Sequence, residues 1–300
     1  MKNGYMNQVV EPIVGVKGGL KLREFTSFMR TDDPQDFMLN YHIKVADSIF
    51  RAKAVVFNSY SALEGPVLAA LSHFSPSLFT VGPLHLRMPY LPESPLKALG
   101  SNLWREDPHC INWLDHRAPG SVLYVNFGSI TVVTAAELRE FAWGLANSGS
   151  PFLWVVRPDM VTGDSAMLDE EFLNETKERG LLISWCPQEK VLGHPSTGGF
   201  LNHSGWNSTI ESISSGVPML CWPFFADQPT NCRFSCVEWG IAMEIDNNVR
   251  REQVEAAVRE LMEGEKGKKM REKVRELKRK AEAEAAPGGL SDVNLDKFIQ

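Results

Sequence analysis

Residues 185–228 read WCPQEKVLGHPSTGGFLNHSGWNSTIESISSGVPMLCWPFFADQ, a stretch dense in residues that bind polar ligands. Its centre is His203-Ser204-Gly205-Trp206-Asn207-Ser208-Thr209. The apolar run Gly199-Phe200-Leu201 leads into His203. A helical pattern follows from Asn207, with Ile210 and Ile213 on one side and Gly216 as the stop. The stretch therefore predicts strand, turn, helix. Asn207, Ser208 and Thr209 occupy the first helical turn, where backbone N–H groups have no partner within the helix and the dipole favours an anion. Gly205 lets a ligand approach the backbone. These residues alone point to a phosphate.

Outward from this centre the chain keeps a regular rhythm. Strand-like runs occur at 122–127, 152–156, 181–185, 199–202, 218–222 and 241–245, and helical patterns at about 134–148, 169–179, 188–193, 207–215 and 228–239 separate them. Apolar strands alternating with helices predict an α/β fold with a parallel, doubly wound sheet. Ligands bind such sheets at the carboxyl ends of the strands. The loops expected there are Gly128-Ser129, Cys186-Pro187-Gln188, His203-Ser204-Gly205 and Phe224-Phe225-Ala226-Asp227-Gln228. The first strand ends in Asn126-Phe127-Gly128-Ser129 rather than G-x-G-x-x-G, which argues against a nicotinamide or flavin cofactor.

Before this rhythm, residues 1–30 are loop-rich, and a helical pattern covers Asp33–Ala54. A short strand follows at Ala54–Asn58, then a helix capped by Ser61 with Glu64 as a capping box, then a strand at Leu78–Val81 closed by Gly82-Pro83. Pro89, Pro92, Pro95 and Gly100 break the segment after that into a linker. The expected division is 1–83, a linker over 84–118, an α/β domain over 119–284 and a tail over 285–300. Two helices, 251–263 and 266–284, flank Gly264, and a short one is expected at 294–299.

Composition narrows the function classes. The chain has 300 residues, 43% hydrophobic and 23% charged, with a net charge of −6, so nothing in the bulk charge calls for nucleic acid. Lys266–Lys280 alternates basic and acidic residues, the pattern of a solvated helix face. Five cysteines in a chain this long imply no disulfide framework, and Cys232 and Cys236 have no histidine at a zinc-like spacing. No apolar run reaches the roughly 20 residues of a membrane span, and MKNGYMNQVVEP has no signal-peptide core. The expected location is cytoplasmic.

Residues 185–228 resemble the donor-binding box of the plant UDP-dependent glycosyltransferases of glycosyltransferase family 1, from opening Trp to closing Gln. Arg30–Pro34, Val81–Leu84, Ser121–Ser129 and Glu140–Leu145 also look like segments of that family, and Asn231–Cys236 looks like a subfamily that glucosylates cyanohydrins and terpenoid alcohols. The resemblance implies a GT-B type fold whose C-terminal Rossmann-like domain binds the donor. It implies inverting transfer from UDP-glucose to a hydroxyl of a small-molecule aglycone, with no metal or cofactor. Carried over residue by residue, Trp185 stacks on the uracil and the Cys186 backbone bonds the base. Gln188 and Glu211 hold the ribose hydroxyls. Ser129, His203, Asn207 and Ser208 bind the diphosphate, and Trp206, Asp227 and Gln228 grip the sugar. The closing Gln resembles members that use glucose rather than galactose.

Outside such a box each residue has a plainer reading. Trp185 would be core, His203 a structural histidine, Glu211 a solvated helix charge and Asp227-Gln228 a helix cap. The sequence departs from the family at Asn202-His203-Ser204, where Thr-His-Cys is usual, and at Ser196-Thr197, where Ala-Val is commoner. The family's catalytic His and its partner Asp lie near the start of an N-terminal domain, and neither His42 nor His73 matches that His. The chain is expected to begin partway through that domain and to be inactive alone. The competing expectations are a UDP-sugar-binding module without transfer activity and a subunit that pairs with a complete relative.

Overall fold

The computed structural model describes residues 5–74, 77–94, 104–161 and 168–300, so Pro95 and Gly100 of the expected linker lie outside the described residues. Along the chain run β1 (Val9–Val10), β2 (Leu20–Lys21), α1 (Phe37–Ile49), β3 (Val55–Phe57), α2 (Ser61–Leu71) and β4 (Leu78–Thr80). Next come α3 (His109–Asp115), β5 (Val122–Asn126), α4 (Ala135–Ser148), β6 (Phe152–Val155), α5 (Glu170–Thr176) and β7 (Gly180–Ile183). Then follow α6 (Gln188–Leu192), β8 (Thr197–Asn202), α7 (Trp206–Ser215), β9 (Met219–Cys221) and α8 (Gln228–Arg233). The chain closes with β10 (Ala242–Glu244), α9 (Arg251–Met262), α10 (Glu265–Ala285) and α11 (Leu290–Ile299). These elements form two compact units: Met1–Leu99 with Phe225–Trp239 and Glu276–Gln300, and Gly100–Phe224 with Gly240–Arg275.

The second unit carries a six-stranded, all-parallel sheet in the order β10-β9-β8-β5-β6-β7. The chain starts at β5, builds outward through β6 and β7, then returns to lay β8 on the other side of β5. The order thus reverses between β5 and β8, which opens a crevice at their carboxyl ends. Strand β5 is buried along its whole length, as parallel strands covered on both faces are. Alternation sends Leu123, Val125 and Phe127 into an apolar core with Phe141, Trp154, Leu201, Trp222 and Val258. Tyr124 lies on the other face and stacks on Phe200, ring centroids 4.7 Å apart. Thr134 caps α4 with Glu137 as a capping box, and Gly149 ends that helix at φ 73°. Helix α4 packs closely on α9: a Cβ at Gly144 would lie 2.5 Å from Cβ of Val254. Arg251 clamps Glu140 through Nη2 to Oε1 at 2.5 Å.

In the first unit β3 and β4 pair in parallel and β1 and β2 antiparallel. The expected Ser61–Glu64 capping box does not form. Tyr60 is the N-cap of α2, and the carboxylate of Glu284 accepts from the N–H groups of Ser61 at 3.0 Å and Ala62 at 2.9 Å. A distant carboxylate satisfies the same orphan donors that a local cap would have taken. The segment Leu84–Tyr90 is a 3₁₀-helix despite Pro89, whose fixed φ suits a helical turn. Helix α11 is longer than the sequence suggests. Its Ser291 hydroxyl donates to the Gly82 carbonyl at 2.6 Å, and Asn294 donates to the Thr80 carbonyl at 3.0 Å. Helix α8 gives way to a π-helix at Phe234–Glu238 instead of running on to Trp239.

Candidate functional site

The crevice between β5 and β8 is lined by the turns that follow those strands. After β5 the chain turns at Gly128 (φ 82°) into Ser129. Arg157, 2% exposed, fixes this turn by donating to the Ser129 carbonyl at 2.5 Å and to the Thr131 carbonyl. After β8 comes His203, then Ser204 in the left-handed region at φ 62°. The Asn202 side chain accepts from the Ser204 N–H at 2.6 Å and holds that turn. The imidazole of His203 lies between two glycines. A Cβ on Gly128 would approach its Nε2 to 2.6 Å, and one on Gly205 to 2.5 Å. The absence of side chains at both positions is what lets the ring sit there.

Helix α7 starts immediately after Gly205, with no side-chain cap on its first turn. The His203 ring lies against Gly205, the N-cap residue, and so beside the positive end of the helix dipole. Trp206, Asn207 and Ser208 form that turn, with Asn207 exposed and Ser208 buried. One turn further, Glu211 faces the first residue of α6. Gln188 Nε2 donates to Glu211 Oε2 at 2.7 Å and to Ser208 Oγ at 3.1 Å. Burial, reinforced by the negative charge of Glu189 and opposed by the bond from Gln188, pushes the Glu211 carboxyl up to about 7. Trp185 is half-buried in the loop between β7 and α6, and its carbonyl accepts from the Asp107 N–H at 2.9 Å. Cys186 is buried, and burial pushes its thiol up to about 12, which makes it an inert thiol at neutral pH.

Ser129, Gln188, His203, Ser208 and Glu211 are thus gathered on neighbouring turns of one unit. Asp227 and Gln228 lie in the other unit, at the start of α8. There Asp227 accepts from Asn231 Nδ2 at 2.7 Å, and Gln228 accepts from the Phe225 N–H at 3.2 Å. Three residues escaped the sequence reading. Arg157 was hidden because its carbonyl partners are 26 and 28 residues away. Tyr124 and Asn126 sit in an apolar strand, yet they bond Gln188 Oε1 at 3.0 and 2.8 Å. The available signal was their alternate spacing, which puts two polar groups on one face of a buried strand.

The chain is 54% identical over 301 residues to 7-deoxyloganetin glucosyltransferase of Gardenia jasminoides, covering all of this chain and 62% of that protein. It is 51% identical over 299 residues to (R)-mandelonitrile beta-glucosyltransferase of Prunus dulcis, covering 99% of this chain and 62% of that one. The chain therefore spans about 62% of the length of the curated relatives it matches. Among solved structures it is similar to Phytolacca americana UGT2 complexed with UDP-2fluoro-glucose and pterostilbene. The TM-score is 0.85 at 32% identity, over all of this chain and 65% of that one. The fold is of the GT-B type, with the six-stranded sheet as a Rossmann-like domain. The family model for UDP-glucoronosyl and UDP-glucosyl transferase matches residues 88–280, and the chain belongs to that family.

Proposed function

We propose that the chain supplies the donor site of an inverting glucosyltransferase that moves glucose from UDP-glucose to a hydroxyl of a small-molecule aglycone. The observation that carries this reading is the Gln188–Glu211 pair set beside the first turn of α7. A carboxylate that accepts from two hydroxyls suits a ribose diol, and a helix start suits the diphosphate attached to it. In this reading Trp185 stacks on the uracil and the Cys186 backbone bonds the base. Ser129, His203, Asn207 and Ser208 receive the diphosphate, and Trp206, Asp227 and Gln228 take the sugar hydroxyls. The relatives named above support glucose as the sugar and a small alcohol as the acceptor. In the reaction a base takes the acceptor proton, the acceptor oxygen bonds to the anomeric carbon, and the bond from that carbon to the diphosphate breaks. The helix start and His203 stabilise the charge that arrives on the leaving UDP, so the reading calls for no metal. Five cysteines with no disulfide between them support a cytoplasmic location, and among the described residues no helix is long and apolar enough to cross a membrane.

The same reading assigns no general base within residues 1–300. His42 uses Nδ1 on the Met38 carbonyl and stacks on Phe28. His73 uses Nδ1 on the Ala69 carbonyl, and burial lowers the pKa of His85 to about 4. A positioned base contributes on the order of 10²–10⁴ in rate. A polypeptide of these 300 residues is therefore expected to bind UDP-glucose yet release UDP slowly or not at all with a panel of alcohol and phenol acceptors. Rapid acceptor-dependent UDP release by that polypeptide would overturn the assignment of the base to other residues.

A further inference from the structure

We infer that Asn126 and Tyr124 are positioning residues for ribose recognition: they fix the orientation of the Gln188 carboxamide, and through it the Glu211 carboxylate. The inference rests on the ribose role proposed above for Gln188 and Glu211. Its physical basis is a chain of hydrogen bonds whose direction is set at one end by the backbone. The N–H of Gly128 can only donate, and it donates to Asn126 Oδ1 at 3.0 Å. Oδ1 therefore faces Gly128, and Nδ2 faces the other way. Nδ2 donates to Gln188 Oε1 at 2.8 Å and to the Tyr124 hydroxyl at 2.9 Å. The Tyr124 hydroxyl in turn donates to Gln188 Oε1 at 3.0 Å. With two donors on its oxygen, Gln188 must present its NH₂ to α7, where it meets Glu211 Oε2 and Ser208 Oγ.

A reversed Gln188 would oppose its NH₂ to that of Asn126 and its oxygen to the Glu211 carboxylate. Both contacts are repulsive in a buried site, so the reversed state loses bonds at each end. The Tyr124 hydroxyl has one further partner, the Cys186 thiol at 3.2 Å, whose S–H can donate to it while the hydroxyl donates to Gln188. Tyr124 is 0% exposed and Asn126 4% exposed, so neither offers its own surface to a ligand. The rest of β5 is Val122, Leu123 and Val125, the usual content of a strand buried on both faces. Two polar side chains there cost desolvation unless their bonds are all made. The same relay starts at the turn that carries Ser129, so it ties the proposed diphosphate turn to the proposed ribose pair.

The test is the affinity ratio between UDP and 2′-deoxyUDP, measured by calorimetry on the 300-residue chain and three variants. The unmodified chain is expected to prefer UDP, and Glu211→Gln to bring the two ligands close together. Tyr124→Phe keeps the ring on Phe200 and removes one donor, so the ratio should shrink by about three- to tenfold. Asn126→Asp keeps an acceptor for Gly128 but turns a second acceptor toward Gln188, which reverses the carboxamide; the ratio should fall at least as far. If Glu211→Gln abolishes the preference while Tyr124→Phe and Asn126→Asp keep it, the positioning role is wrong and the ribose reading stands. Equal weakening of both ligands in the two strand variants marks a merely structural role and overturns it too. If the unmodified chain binds both ligands alike, the ribose reading fails and takes this inference with it.

Discussion

Glu211→Ala is expected to weaken UDP binding by about 100-fold or more. Hydrogen bonds to a charged acceptor are worth about 1.5–3 kcal/mol each, and two ribose hydroxyls would be lost together. The variant also leaves Gln188 Nε2 without its strongest acceptor, since Ser208 Oγ is then its remaining partner here. The same carboxyl gives the binding a pH dependence. Burial and Glu189 raise it from the ordinary 4.5 to about 7, and the buried phenol of Tyr124, itself held well above its ordinary value, stays neutral beside it. A raised carboxyl pKa means that the folded apo chain binds more protons than the unfolded one. Its stability contribution is therefore fully present at low pH and declines as pH rises from 4.5 toward 7. A ligand that needs the carboxylate as acceptor reverses the preference, so UDP-glucose affinity should rise with pH through about 7 and then level off. The diphosphate of UDP-glucose stays fully ionised over this range, so the change reports the protein. An unchanged affinity in Glu211→Ala, or a flat profile in the parent chain, would count against the ribose assignment.

The second large effect is expected at Gly128. Alanine there meets two costs. The left-handed φ of 82° costs an L residue about 1–2 kcal/mol. Its Cβ would also sit 2.6 Å from the His203 ring, and that ring is hemmed on its other side by Gly205. The imidazole cannot yield without leaving the start of α7, so Gly128→Ala should lose about 2–3 kcal/mol of stability and at least about tenfold in UDP affinity. Gly149→Ala is the control. Its φ is 73°, but a Cβ there meets nothing within 4 Å. It should lose only the strain energy, visible as a drop of a few degrees in Tm, with UDP affinity intact. Equal affinities for Gly128→Ala and the parent chain would show that the His203 position is irrelevant to the ligand.

Much of this was legible in the sequence, and the parts that were not share a physical cause. Apolar periodicity located all six strands of the large sheet to within a residue or two at each end, because each is a short run bounded by turn residues. The turn at His203 and the helix after it followed from Gly205, Ile210, Ile213 and Gly216. Strand order did not follow. That β8 returns beside β5 is a property of the crossover connections, and the crevice exists only because of it. Nor did the relay through Asn126 and Tyr124 follow, since in a strand buried on both faces hydropathy cannot distinguish the face toward Gln188 from the face toward Trp154. The α2 cap departs from its local sequence pattern for a related reason. Ser61 and Glu64 have the right local spacing, but Glu284, 223 residues from Ser61, takes the donors instead.

The central claim is that residues 185–211 form a site for a uridine nucleotide, and calorimetry of UDP with the folded 300-residue chain tests it most directly. UDP is expected to bind, and Trp185→Ala to weaken it by about 1–3 kcal/mol, the usual worth of an aromatic ring stacked on a base. No UDP binding by a folded sample, or the same affinity with and without the Trp185 ring, would contradict the claim.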